Sequence, residues 1–190
     1  MAQKKFPIGV QDFKKLREDG FCYVDKTAMV YQLVHSGRNA FLSRPRRFGK
    51  SLLCTTLKYY FEGERELFNG LKIYDLEQEW VKRPVLHLGL STGEYTSVEG
   101  FVNTLSGALA DWERVYGKGI DENTLSLRFA GILRRAHEQT GQKVAVLIDE
   151  YDKPLLEAMH DKDLQDQFRK ILKSFYGTMK HSDADIQFIF

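Results

Sequence analysis

The sequence predicts an α/β domain on a mostly parallel sheet, and three observations carry that prediction. Helical patterns alternate with short apolar strands along the chain. The run Lys143-Val-Ala-Val-Leu-Ile148 is an unbroken aliphatic stretch of the kind buried on both faces of a parallel sheet. The last residues, Ile186–Phe190, repeat that character. At 190 residues the chain is long enough for one well-buried domain and short for two.

The elements follow in order. Phe6–Gly20 reads as a short amphipathic helix in an extended lead-in. Asp25 stands at the cap of a helix that carries Met29, Val30, Leu33 and Val34 on one side and stops at Gly37. A short apolar strand, Ala40–Leu42, runs into Ser43-Arg-Pro-Arg-Arg-Phe-Gly-Lys-Ser51, and a helix follows with Leu52, Leu53, Thr56, Leu57, Tyr60 and Phe61 at helical spacing. Val85–Leu90 is a strand. Thr96 and Glu99 form a capping box before a helix with Phe101, Leu105, Leu109, Trp112 and Tyr116 on one stripe. Thr124–Thr140 is helical with Leu125, Phe129, Ile132, Leu133 and Ala136 inward, and Gly141 stops it. The strand ending in Asp149-Glu150 leads to a helical region from Pro154 to about Met179, and Ile186–Phe190 closes the pattern.

Composition narrows the function. Apolar residues make up 43% and charged residues 28%, an ordinary folded composition. Lys plus Arg number 28 against 26 for Asp plus Glu, so the net charge of +2 gives no global pull towards nucleic acid or membrane. Cys22 and Cys54 follow no metal or redox spacing and read as small hydrophobes in a reducing compartment. The N-terminus lacks a signal-peptide core, and no apolar run approaches the roughly 20 residues that span a bilayer. The expectation is a cytoplasmic protein without membrane contact.

Phosphate binding by a loop needs a strand that delivers the chain into a turn, backbone N–H groups that point inward, and a helix that starts facing the anion. Phe41–Phe61 has that order. Gly49 lets the backbone approach a phosphate without a Cβ, Lys50 reaches the β- and γ-phosphates, and the Ser51 hydroxyl ligates magnesium. The strict pattern G-x-x-x-x-G-K-[ST] fails at Arg44, and Gly-Lys-Ser alone is weak evidence; a capped helix start with a solvated lysine explains it as well. The second motif changes that balance. In a parallel sheet ligands collect beyond the carboxyl ends of strands, so Asp149 is placed to hold magnesium and Glu150 to take a proton from attacking water. The competing reading makes both carboxylates polar residues leaving a buried strand.

The segments RPRRFGKS (44–51), FPIGVQDFKKLREDGFCYVDKT (6–27) and LIDEYDKPL (147–155) together resemble the bacterial AAA-ATPase-like family, over nearly the whole chain. The resemblance accounts for Arg44, since the family shares the RPRRFGKS form. It implies a three-layer P-loop fold in one domain, with residues 1–37 as lead-in and 38–190 as nucleotide-binding core, and a parallel sheet of order 5-1-4-3-2. The chain then ends in the fourth strand, so it reads as truncated before the sensor, the fifth strand, any arginine finger and any nuclease-like effector domain. It also implies ATP as the nucleotide, with ADP as product. The contact set is Arg46, Arg47, Phe48, Gly49, Lys50, Ser51 and Leu52, with Ser51 and Asp149 on magnesium and Lys50 and Glu150 catalytic.

Other residues have plainer readings. Arg46 and Arg47 are phosphate-proximal or a solvated basic turn. Tyr151 is packing, Asp152 a cap for the helix near Pro154, and His87 a core histidine. The Tyr23-Val-Asp25-Lys-Thr27 signature lies near a base or simply caps a helix. Three functions remain in order of preference: an ATPase that drives an attached effector, a nucleotide-sensing switch with little turnover, and a nucleic-acid-acting module. Near-neutral charge speaks against direct nucleic-acid binding, and an oligomer is compatible with all three.

Overall fold

A computed structural model describes residues 5–45 and 47–190. It is α/β. Three strands, β1 (Val85–Gly89), β2 (Val144–Asp149) and β3 (Ile186–Ile189), form one sheet in the order β1-β2-β3. Ala145 N donates to Pro84 O at 2.9 Å and Leu90 N to Asp149 O at 3.0 Å, so partners rise together along both strands and the pairing is parallel. The chain divides into two compact units. One comprises the described part of Met1–Val85 with Ala145–Leu147 and Phe188–Phe190; the other comprises Leu86–Val144 and Ile148–Gln187.

The first unit holds helices α1 (Phe13–Glu18), α2 (Thr27–Ser36), α3 (Lys50–Phe61) and α4 (Lys72–Leu76), with a 3₁₀ turn at Arg65–Phe68. Its core gathers Phe13, Leu57, Phe61, Phe68, Ile73, Leu147 and Phe188. Full burial of each such side chain contributes about 1.5–3 kcal/mol. The lead-in is bolted to α3 by polar bonds. Asp12 caps α1 through Oδ1, which accepts from Lys15 N at 2.8 Å, while its Oδ2 accepts from the Tyr59 hydroxyl at 2.9 Å. The amide of Phe13 donates to Thr55 Oγ1 at 3.1 Å.

The second unit holds α5 (Val98–Tyr116), α6 (Leu125–Thr140), α7 (Lys153–Glu157) and α8 (Lys162–His181). The centres of the inward stripes are those the spacing predicts: Phe101, Leu105 and Leu109 on α5, Phe129, Ile132, Leu133 and Ala136 on α6, and Phe168, Leu172 and Phe175 on α8 are buried, whereas Trp112, Tyr116, Leu125, Leu164 and Ile171 of the same stripes are only half-buried. Phe129 stacks on Phe175 with centroids 4.5 Å apart, and Phe101 meets Phe168 at 4.7 Å. Arg128 of α6 forks onto Glu113 of α5 at 2.7 and 2.8 Å.

The structure departs from the sequence reading at five places. Ala40–Leu42 forms no strand; the chain touches β3 through one parallel bridge between Asn39 and Ile189, fixed by Ala40 N to Ile189 O at 2.9 Å and Ile189 N to Arg38 O at 2.7 Å. The helix of the lead-in shortens to six residues. The cap of α5 is Ser97, whose side chain accepts from Gly100 N at 3.0 Å, one residue beyond Thr96. The helical region after Pro154 breaks in two, because Asp161 caps a fresh start through Leu164 N at 3.0 Å. Residues 65–76 form two short elements that periodicity did not reveal.

Candidate functional site

The loop before α3 is built around two left-handed residues. Arg47 has φ 67° and Gly49 has φ 76°, ψ 23°. Gly49 is the cap residue of α3, and its carbonyl accepts from Leu53 N at 2.9 Å. Among the described residues no side chain caps this helix, and its first turn holds no acidic residue, so its N-terminal donors meet no carboxylate of their own turn. Among the described residues, nothing beyond its neighbours in the chain lies within 4 Å of where a Cβ on Gly49 would sit. Glycine is thus required for its backbone angle and not for lack of space. Arg44 is absent from the positive-φ positions, so the loop has no conformational need for the glycine of the strict motif there.

Lys50 and Ser51 are the first two residues of α3 and are half-buried, as is Leu52; Arg47 and Phe48 are exposed. Arg46, part of the expected contact set, lies outside the described residues. Beside this loop opens a cleft of about 700 Å³, lined by Tyr23, Met29, Phe41, Arg44, Phe48 and Gly49 among others. Phe41 and Phe48 are 70% and 66% exposed, a large apolar surface for two residues flanking a polar loop. Burial pushes the Tyr23 phenol up to about 12, so it stays neutral at physiological pH. The residues of this cleft are scattered along the sequence. Its one signal was a set of apolar residues in the lead-in that belong to no helical stripe.

The signature around Asp25 separates into two jobs. Tyr23 and Lys26 line the cleft, whereas Asp25 is structural. Its carboxylate accepts from Thr27 N at 2.8 Å, from Thr27 Oγ1 at 2.6 Å and from Lys72 N at 2.8 Å. The hydroxyl of Thr27 in turn accepts from Ile73 N at 3.1 Å. Asp25 therefore ties the start of α2 to the start of α4, even though the formal cap position of α2 is Lys26.

In the other unit, Asp149 is the last residue of β2, and Glu150 follows it; both are half-buried. Glu150 has φ 56°, a conformation rare for a residue with a Cβ and costing about 1 kcal/mol or more. Its carbonyl accepts from Lys153 N at 3.0 Å, turning the chain into α7. Asp152 occupies the cap position of α7 but makes no side-chain cap bond, and Tyr151 is exposed. Burial first, and then the charges of Glu150 and Glu157, raise the Tyr95 phenol, which places it within electrostatic reach of Glu150. Among the described residues no group of three or more His, Cys, Asp or Glu side chains could hold a metal by itself. The Ser51 hydroxyl in the first unit and the Asp149 carboxylate in the second are each, taken separately, hard oxygen donors of the type magnesium takes.

With loop, helix start and strand end in place, the comparison with known proteins gives the class. The sequence matches the family described as Predicted AAA-ATPase over residues 7–190, and the chain belongs to that family. It is also similar to an "Uncharacterized protein in vnfD 5'region" of Azotobacter chroococcum mcd 1, 39% identical over 190 residues, which are 99% of this chain and 37% of that protein. The chain thus spans little more than a third of the length of this relative. No solved structure matches it. Among the described residues no helix is long and apolar enough to cross a membrane.

Proposed function

We propose that the chain binds ATP with magnesium and hydrolyses it, as the motor or regulator of an attached effector in the cytoplasm. The observation that carries the binding reading is the start of α3: a left-handed Gly49 opens a 12-residue helix whose first turn has no acidic residue or side-chain cap, next to an apolar cleft of about 700 Å³. Lys50 receives the β- and γ-phosphates, the loop from Arg47 to Leu52 cradles them, and the base enters the cleft among Tyr23, Met29 and Phe41. Magnesium, when bound with the nucleotide, neutralises phosphate charge; Ser51 and Asp149 are the residues that would hold it. Glu150 takes a proton from the attacking water and Lys50 steadies the charge that develops.

A P-loop sheet of order 5-1-4-3-2 is the topology we assign. It is supported by β1-β2-β3 as the second, third and fourth strands of that order, and by the Asn39 bridge to β3 in the place of the first. A nucleotide-sensing switch is the second reading. The feature that favours turnover over sensing is Glu150, since mere binding needs no poised base. Two variants separate the readings. Lys50→Ala is expected to abolish ATP binding in calorimetry, while Glu150→Gln retains binding and loses hydrolysis. Turnover unchanged in Glu150→Gln would remove Glu150 from the base role.

A further inference from the structure

We propose that Tyr95 is a positioning residue for the end of β2, holding Asp149 and Glu150 in the arrangement that hydrolysis needs; this rests on the ATPase reading above. Tyr95 is 6% exposed, and its hydroxyl donates to the Leu90 carbonyl at 2.7 Å. The Leu90 amide donates to the Asp149 carbonyl at 3.0 Å. That carbonyl belongs to the peptide plane leading into Glu150. Leu90 is therefore held at both ends, its carbonyl by the phenol and its amide by the peptide that leads from Asp149 into Glu150, so the phenol fixes the residue against which that strand end is docked.

Three further features make this arrangement specific. Glu150 sits at φ 56°, a conformation that persists only where its surroundings over-determine it. The loop after β1 folds tightly about the phenol: a Cβ on Gly93 would fall 2.4 Å from Tyr95 Oη, 2.5 Å from its Cζ and 2.8 Å from Thr104 Cγ2. The ring itself is anchored edge-on against Phe101, at 5.7 Å, and Phe101 is fully buried in α5. Burial and the nearby Glu150 and Glu157 charges both keep the phenol protonated, so it remains a donor across the physiological range. Tyr176 offers the contrast. Its hydroxyl is also buried in this unit, and it has no hydrogen-bond partner among the described residues.

The test is steady-state ATP hydrolysis by the 190-residue chain, with rates normalised to folded protein by thermal melting. Tyr95→Phe is expected to lower kcat roughly three- to tenfold, the loss of one net hydrogen bond from the reacting arrangement, with KM for ATP within about twofold of wild type. Gly93→Ala, which drives the phenol off its seat, should show the same split, and Tyr176→Phe should leave kcat unchanged. A Tyr95→Phe protein that melts earlier but turns over normally makes the phenol a packing residue and overturns the proposal. So does an equal loss in Tyr176→Phe. If the wild type binds ATP without hydrolysing it, the ATPase reading falls and this role falls with it; if the wild type turns over and Tyr95→Phe matches it, this role alone falls.

Discussion

Removing the Asp25 carboxylate separates a structural lead-in from a ligand-binding one. Asp25→Ala deletes three accepted hydrogen bonds, two from Thr27 and one from Lys72. At a net value of about 1 kcal/mol each the loss is roughly 3 kcal/mol, with Thr27 fully buried and its hydroxyl no longer fixed for Ile73. For a chain of this size that lowers the thermal midpoint by roughly 6–12 °C. Asp25→Asn keeps one acceptor oxygen and should cost about half as much. ATP affinity, measured below the new midpoint, should stay within about twofold for both. A midpoint unchanged to within about 1 °C, or a tenfold weaker ATP affinity at unchanged stability, would refute the structural assignment and turn Asp25 into a ligand.

The same carboxylate gives a pH signature. Burial pushes Asp25 upward, but the bonds from the Thr27 hydroxyl, the Thr27 amide and Lys72 together hold it below its ordinary value of 3.8. A depressed folded value means the carboxylate's contribution is fully present above the unfolded value and is lost as the pH falls through the folded one. The stability gap between wild type and Asp25→Ala should therefore be level from pH 5 to 8 and narrow only below about pH 3.8. A gap that narrows near neutrality would point to another group.

Two predictions concern the helices of the second unit. The Arg128–Glu113 fork has side chains only 12% and 10% exposed, and Arg128 is the main cause holding the Glu113 carboxyl below its usual range. Arg128→Ala strands a buried charge and should cost about 3–5 kcal/mol in urea unfolding, whereas Arg128→Met with Glu113→Leu should recover most of it. Gly131→Ala places a Cβ 1.7 Å from Glu122 Oε1, the oxygen that holds Arg135, so it should cost about 1–3 kcal/mol alone and far less in a Glu122→Ala background, a coupling read by a double-mutant cycle.

Much of the fold was legible because its long helices carry their burial pattern in the spacing of apolar residues. Phe101, Leu105 and Leu109 needed only a period of 3.6 to be placed inward. Elements made by tertiary bonds were not legible. The turn at Arg65–Phe68 and the helix at Lys72–Leu76 are too short for periodicity; they are held by Arg17, which donates to Leu67 O at 2.8 Å and Asn69 O at 2.6 Å, and by Asp25 on Lys72. The break before α8 had a signal, the Asp161 cap, that an amphipathic pattern continuing through Leu164 and Phe168 masked. In the candidate site the proposed residues of each motif are contiguous in the sequence, but the cleft is not, since Tyr23, Met29 and Phe41 come from separate segments.

Backbone strain adds an argument that spacing alone could not supply. Among the described residues three non-glycines have positive φ: Arg47, Trp80 and Glu150. Glycine would sit at each without the roughly 1–2 kcal/mol that a left-handed residue with a Cβ costs, and asparagine at a reduced cost through its local side-chain hydrogen bonds. Trp80 has an evident compensation, because its ring packs against Phe68 at 5.1 Å and Tyr60 at 5.8 Å. Arg47 is exposed, and Glu150 is a half-buried carboxylate at the end of a strand, so neither gains comparable burial. Arg47 stands two residues before the helix start at Gly49, and Glu150 immediately after the strand that ends in Asp149. The chain therefore tolerates strain, without a packing return, at the two places where a phosphate-binding loop and a water-activating carboxylate are assigned on chemical grounds. That coincidence favours function over capping as the reason these two side chains stand where a glycine would be easier.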